Sequence, residues 1–191
     1  MVTTRNSHED VVRAAGRLFA ERGYHGTSMR DLGKELGLLG SSLYSHVSSK
    51  QDLLVEVVEE GARLFEASAE KALAVEGTAA DRLEAFVAGH VEVVVDNIDV
   101  ARTFLNEARM LDVSHRARIV DARDHYEGVF RSVIRDGRSD GSFAADTDAR
   151  TTSIFILSIL NAIERWYHPD GELDRAALVA ELTRFIRTAL S

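Results

Sequence analysis

Apolar residues recur along almost the whole chain at intervals of three and four, the period of an α-helix, and no stretch alternates as a half-buried strand does. Val11, Ala14, Ala15, Leu18 and Phe19 make one such face. Ser7 opens that helix, with Glu9 and Asp10 placing negative charge in its first turn. Gly23 ends it, and Tyr24, His25 and Gly26 form a turn. Thr27 or Ser28 opens a short second helix carrying Met29, Leu32 and Leu36, which Gly37 stops. A third short helix is predicted over about residues 41–47, with Leu43 and Val47 inward. Ser48 or Ser49 then opens a long helix over about 50–75.

Beyond the break at Gly77 and Thr78, helices are predicted over about 79–95, 100–111 (after a joint at 96–99) and from a Ser114 cap through 135. DGRSDGSF, residues 136–143, reads as the clearest loop. Residues 147–167 form the most apolar helix, stopped by His168, Pro169, Asp170 and Gly171, and 172–189 the last. The expected class is all-α with about nine helices, divided into residues 1–50 and 51–191.

Composition narrows the function. The chain has 191 residues, 45% of them hydrophobic, enough for one fair-sized domain or two small ones. It has no cysteine, which excludes disulfides and thiolate metal sites. The N-terminus lacks a signal-peptide pattern, and the apolar run at 153–160 is too short to span a bilayer. A cytoplasmic protein with no membrane contact is expected. Net charge is −8, but residues 1–50 hold 7 Lys and Arg against 5 Asp and Glu, whereas 51–191 hold 16 against 26. A mildly basic head on an acidic body suits a polyanion partner, although an excess of two positive charges also arises by chance.

Between two strongly helical segments lies LGLLGSSLYSHVSSKQDLL, residues 36–54. Two short helices joined through Gly37 describe a helix-turn-helix. Gly33 lets the helices approach, Gly37 tolerates positive φ, and Leu38 and Leu43 fill the space between them. Gly40, Ser41, Ser42, Tyr44, Ser45 and His46 are left on the outer face. Small residues let a helix sink into a major groove, and hydroxyls and an imidazole offer hydrogen bonds to phosphates and base edges. Lys50 adds a cation at a helix N-terminus. The same pattern also fits a plain helical hairpin with a solvated polar face.

AAGRLFAERGYHGTSMRDLGKELGL and SSLYSHVSSKQDLL, within residues 10–55, resemble the N-terminal DNA-binding domain of the TetR family of bacterial transcriptional regulators. The matching positions are Leu18, Phe19, Gly23, Tyr24, Thr27, Leu43, Tyr44, His46, Lys50 and Leu53. The resemblance implies phosphate contacts from Thr27, Tyr44, His46 and Lys50, and base-edge reading around Gly40, Ser41, Ser42 and Ser45. Leu39 departs from the Ser or Thr that usually caps the family's recognition helix, so Ser41 would start a shorter one. Val47 stands where Phe is commoner, and Gly33 where Ala is. Arg5 fits either a groove-reaching arm or a free terminus.

For residues 51–191 the resemblance implies a helical body that dimerises and binds an effector. Ile154, Ile156, Leu157, Ile159, Leu160 and Ile163 make one helix apolar on more than one face, and Leu178, Leu182, Phe185 and Ile186 supply a matching stripe, so the last two helices are the expected homodimer surface. Phe86, Val94, Phe104, Leu105, Met110, Tyr126, Phe130, Phe155 and Trp166 are candidate pocket residues, and equally a plain core. RWYHPDG, residues 165–171, looks like the Arg-Trp-Tyr-x-Pro-x-Gly run of a branch responding to acyl-coenzyme A thioesters. Arg102, Arg109, Arg116, Arg118 and Arg123 are cations for such a ligand's phosphates. Another apolar small molecule, as in multidrug-type sensors, is the alternative effector.

No nucleophile elbow, phosphate-cradling glycine loop or dinucleotide fingerprint is present, so no enzyme activity and no cofactor are expected. His115, Asp121 and His125 could suggest a metal site, but neighbouring Arg116, Arg118 and Arg123 make a solvated, ion-paired face the better reading, and no metal is expected. A small helical enzyme or protein adaptor is the alternative class. The expected protein is a ligand-responsive repressor that binds double-stranded operator DNA as a homodimer.

Overall fold

The computed structural model describes residues 7–38, 43–45, 47–168 and 170–191. Among them are eight α-helices: α1 (His8–Gly26), α2 (Met29–Leu36), α3 (Lys50–Leu73), α4 (Ala79–Asp96), α5 (Ile98–Glu107), α6 (Val113–Asp140), α7 (Ala149–Trp166) and α8 (Arg175–Ala189). A 3-10 turn, Ala108–Met110, separates α5 from α6. Of the ninth expected helix, over 41–47, residues 41, 42 and 46 lie outside the described residues. Among the described residues, no helix is long and apolar enough to cross a membrane.

Helix starts follow from local side-chain chemistry. Ser7, Ser28 and Thr78 each accept from the amide three residues on, and the aspartate there returns the bond to the cap amide. Hydrogen bonds from Ser7, Ser28 and Thr78 hold the Asp10, Asp31 and Asp81 carboxyls below the usual carboxylate range. Ser49 bonds the Asp52 amide at the start of α3. At α6 the start is not at Ser114 as expected. Asp112 accepts from the His115 amide at 3.0 Å and from the Ser114 hydroxyl at 2.7 Å, so the carboxylate is the cap. Gly23 interrupts helical geometry at φ 72°, and Gly37 ends α2 at φ 64°.

The chain divides into two compact units. The first comprises residues 1–62 and 99–120, and the second 63–98 and 121–191. Helices α3 and α6 each contribute to both. The first unit is built around Val11, Leu18, Phe19, Leu32, Leu43, Leu53, Leu54 and Val58, all buried, and the Thr103 hydroxyl donates to the Gly16 carbonyl at 3.2 Å. In the second, α4 packs on both α7 and α8. Its core includes Leu83, Val87, Val91, Ile134, Leu160, Ile163, Leu178 and Ile186.

The expected loop over 136–143 is mostly helix, since α6 continues through Asp140. The reason is a contact that local sequence does not show. The Phe143 ring, buried, folds back onto Gly137, where a Cβ would collide with it, and the Phe143 amide donates to the Gly137 carbonyl at 2.9 Å. Gly137→Ala should therefore destabilise the protein by about 1–3 kcal/mol, despite alanine's better helix propensity. That corresponds to a fall in Tm of about 2–4 °C per kcal/mol for a chain of this size. An unchanged melting curve by circular dichroism would mean that Phe143 is not seated there.

Candidate functional site

Two sites emerge, one in each unit. In the first, the break at Gly23 turns the chain so that Tyr24, Thr27 and the first residues of α3 meet. The Thr27 hydroxyl is buried and shares its proton between the Leu18 and Gly23 carbonyls, at 3.1 and 3.0 Å. The Lys50 ammonium donates to the Tyr24 and Thr27 carbonyls at 2.9 and 2.8 Å and lies 4.1 Å from the centre of the Tyr24 ring. The Tyr24 amide donates to Glu107 and its hydroxyl to Gln51. Burial raises the Tyr24 phenol above its ordinary pKa.

Two residues expected to contact phosphate are hydrogen-bonded within the protein. Thr27 and Lys50 point inward and hold the turn between α1 and α2 against α3. Buried carbonyls need donors, and these two side chains supply them. Tyr44, 58% exposed, and Ser45, also exposed, remain on the outside, while Leu43 and Val47 are buried beneath them. Gly40, Ser41, Ser42 and His46 lie outside the described residues, as do Arg5 and Leu39. Gln51 and Glu107 were missed. Nothing in their local sequence marks them, because their partner, Tyr24, is distant along the chain.

In the second unit, α3, α4 and α6 bring together Phe65, Phe86, His90, Tyr126 and Phe130. Ring centres are 4.7 Å apart for Phe86 and Phe130, 4.9 Å for Phe86 and Tyr126, and 4.9 Å for Phe65 and His90. Phe86 with His90, and Tyr126 with Phe130, are four apart and so share helix faces. Of the candidate pocket residues, Phe86, Tyr126 and Phe130 join this cluster, and Val94 is buried one turn beyond His90. Phe104, Leu105 and Met110 belong to the first unit. Phe155 and Trp166 are surface residues instead, 63% and 48% exposed. They form an apolar strip on α7 with the exposed Ile154 and Ile159, while Ile156, Leu157, Leu160 and Ile163 face inward. On α8, Phe185 is exposed and Leu178, Leu182 and Ile186 are buried. Pro169 is outside the described residues, and Tyr167 is buried.

The arginines proposed for an anionic effector are partly committed. Arg116 donates to the Arg109 and Leu111 carbonyls, and Arg118 pairs with Glu59 at 2.7 Å. His115 bonds Asp112 at 2.6 Å, and among the described residues no group of three His, Asp or Glu could hold a metal ion.

His90 was missed by the sequence reading and is strongly perturbed. It is fully buried, and its Nδ1 shares a hydrogen bond with the Tyr126 hydroxyl at 3.0 Å. Burial pushes its pKa from 6.5 down to about 3, against the opposing effect of the Leu160 carbonyl. Burial likewise raises the Tyr126 phenol well above its ordinary value. Between pH 6.5 and about 3 the unfolded chain therefore carries a proton at His90 that the folded chain does not. Stability should fall as pH drops below 6.5, by up to about 1.4 kcal/mol per pH unit from this group. Urea unfolding at pH 7 and pH 5 checks this. His90→Gln should flatten the dependence, and an identical slope in that variant would rule out His90 as its source.

Comparison with known proteins finds matches to both the N-terminal and the C-terminal part of the chain. Residues 11–57 match the family described as bacterial regulatory proteins, tetR family, and residues 76–190 match the tetracyclin repressor-like C-terminal domain. The HTH-type transcriptional repressor KstR2 of Rhodococcus jostii is 26% identical over 165 residues, covering 86% of this chain and 81% of that protein. Among solved structures, the TetR family regulator PfmR from Thermus thermophilus superposes with a TM-score of 0.86 at 30% identity, covering 95% of this chain and 98% of that one. AibR, solved in complex with isovaleryl coenzyme A and operator DNA, superposes with a TM-score of 0.83 at 22% identity, covering 93% and 96%, a likeness of fold. With one match on the helix-turn-helix head and another over most of the remaining chain, this protein belongs to the TetR family of bacterial transcriptional regulators.

Proposed function

We propose that this protein is a homodimeric repressor that leaves its operator when a small apolar or acyl-coenzyme A effector binds in the second unit. The observation that carries the reading is the presence, in one chain, of a matched DNA-binding head and a matched C-terminal domain with a ring-lined, buried polar pair. The repressor KstR2 and the AibR complex with isovaleryl coenzyme A support it by analogy.

Residues 1–50 act as the DNA-reading head and 51–191 as the effector and dimer body. The contact set on DNA is Gly40, Ser41, Ser42, Tyr44, Ser45 and His46, with Thr27 and Lys50 positioning it from behind. The exposed strip of Ile154, Phe155, Ile159 and Trp166 on α7, with Phe185 on α8, supports a two-fold interface through the last two helices. Two heads then address two half-sites. Effector binding biases a two-state equilibrium toward a head spacing that misfits the operator, and α3, which like α6 contributes to both units, is one covalent link.

Fluorescence anisotropy on DNA from just upstream of the protein's own gene tests this. Tight binding with a steep salt dependence is expected, relieved by one member of a panel of acyl-coenzyme A thioesters. Tyr44→Ala should weaken binding about tenfold or more without changing the melting temperature. Operator binding that every thioester leaves intact would keep the regulator and favour a different apolar effector. Absence of salt-dependent binding to any genomic site would sink the repressor.

A further inference from the structure

The ring cluster holds more hydrogen-bonding capacity than it uses. His90 is fully buried and Ser68 is 9% exposed, yet among the described residues neither His90 Nε2 nor Ser68 Oγ has a hydrogen-bond partner. Native proteins rarely leave such atoms unsatisfied, because each costs its full desolvation. The two belong to one helix–helix contact. Ser68 lies one turn after Phe65 on α3, and the Phe65 ring meets the His90 ring at 4.9 Å. Gly89, next to His90, approaches so closely that a Cβ there would collide with the Ser68 hydroxyl. Glycine at this position leaves that hydroxyl its place.

Counting protons shows what is missing. A neutral histidine and a tyrosine bring one N–H and one O–H. The hydrogen bond between His90 and Tyr126 uses one of them and leaves the other. Ser68 adds a further O–H. The Leu160 carbonyl lies near enough to the ring to favour its protonated form, but Nε2 makes no hydrogen bond of ordinary geometry. The cluster therefore has two donor hydrogens to spare in surroundings made of Phe65, Phe86 and Phe130.

Resting on the reading of the second unit as an effector-binding body, we propose that Ser68, His90 and Tyr126 receive the carbonyl oxygen of an uncharged apolar ligand, a thioester or a ketone, in preference to the corresponding free acid. A carbonyl oxygen has two lone pairs and accepts from both spare donors. A carboxylate would bring a charge into an apolar interior, where an ion without a counter-ion is strongly disfavoured. His90 cannot supply that counter-ion, since burial keeps its ring neutral. Arg131, beside Phe130, is paired with Glu127.

The test is calorimetric titration of the full-length protein with matched thioester, methyl ketone and free acid of each chain from butyryl to palmitoyl. At least one thioester or ketone should bind about tenfold or more tightly than its acid; which of the two binds identifies the source of the carbonyl. Ser68→Ala should weaken that ligand about tenfold while raising the Tm of the ligand-free protein, because it removes an unsatisfied hydroxyl. A serine that only supports the fold would lower Tm and leave affinity unchanged, which overturns the assignment. Tyr126→Phe provides a second variant with the same expected loss of affinity. A free acid that binds as tightly as its neutral partners would point to Arg123, one turn before Tyr126, and also overturns it. So does the failure of every carbonyl compound to bind. Operator affinity measured on the same samples separates the two readings. Its absence defeats the repressor, whereas intact operator binding without carbonyl preference defeats this assignment alone.

Discussion

Burial of one apolar face per helix holds this chain together. It has no cysteine to cross-link it, and ion pairs such as Arg17 with Glu35 and Arg175 with Asp96 sit on the surface where they contribute little. Each fully buried Leu or Phe contributes on the order of 1.5–3 kcal/mol relative to exposure. Leu18, Phe19, Leu53 and Leu54 supply this in the first unit, and Leu83, Phe86, Phe130 and Leu160 in the second. With stability resting on apolar contact, a polar group placed inside has to be explained by what it bonds to.

The two sites answer that requirement differently. In the head, every inward polar group named above has a partner. Thr27 and Lys50 saturate carbonyls freed by the break at Gly23, and Tyr24 is held by Glu107, Gln51 and the Lys50 cation. Such a network fixes one arrangement beneath a surface on which Tyr44 and Ser45 stand exposed. In the ring cluster the polar groups are only partly satisfied. Ser68 and His90 keep capacity in reserve at a cost to the ligand-free state, as an interior that gains a partner on binding would.

The same logic separates the two faces of α7. Ile156, Leu160 and Ile163 are spent on the protein's own core, while Phe155 and Trp166 leave a strip of apolar surface uncovered. Contiguous apolar surface of this kind is characteristic of interaction faces.

The sequence by itself determined what depends on neighbours within one helical turn. The opening at Ser7, the stop at Gly37 and the apolar stripes were legible, because each is written in residues a few positions apart; Gly23 was legible as a break, although α1 resumes to Gly26, and the second helix's cap was narrowed only to Thr27 or Ser28. The head was also legible, since its motif is a long run of adjacent positions. Tertiary structure decided the rest. The extension of α6 through Asp140 depends on Phe143 reaching back to Gly137. The inward turn of Lys50 depends on carbonyls more than twenty residues earlier, and the polar character of the ring cluster on His90 meeting Tyr126, 36 residues apart. Periodicity tells which side of a helix is apolar. It does not tell which other helix will face it, because that choice is made by packing the whole chain at once.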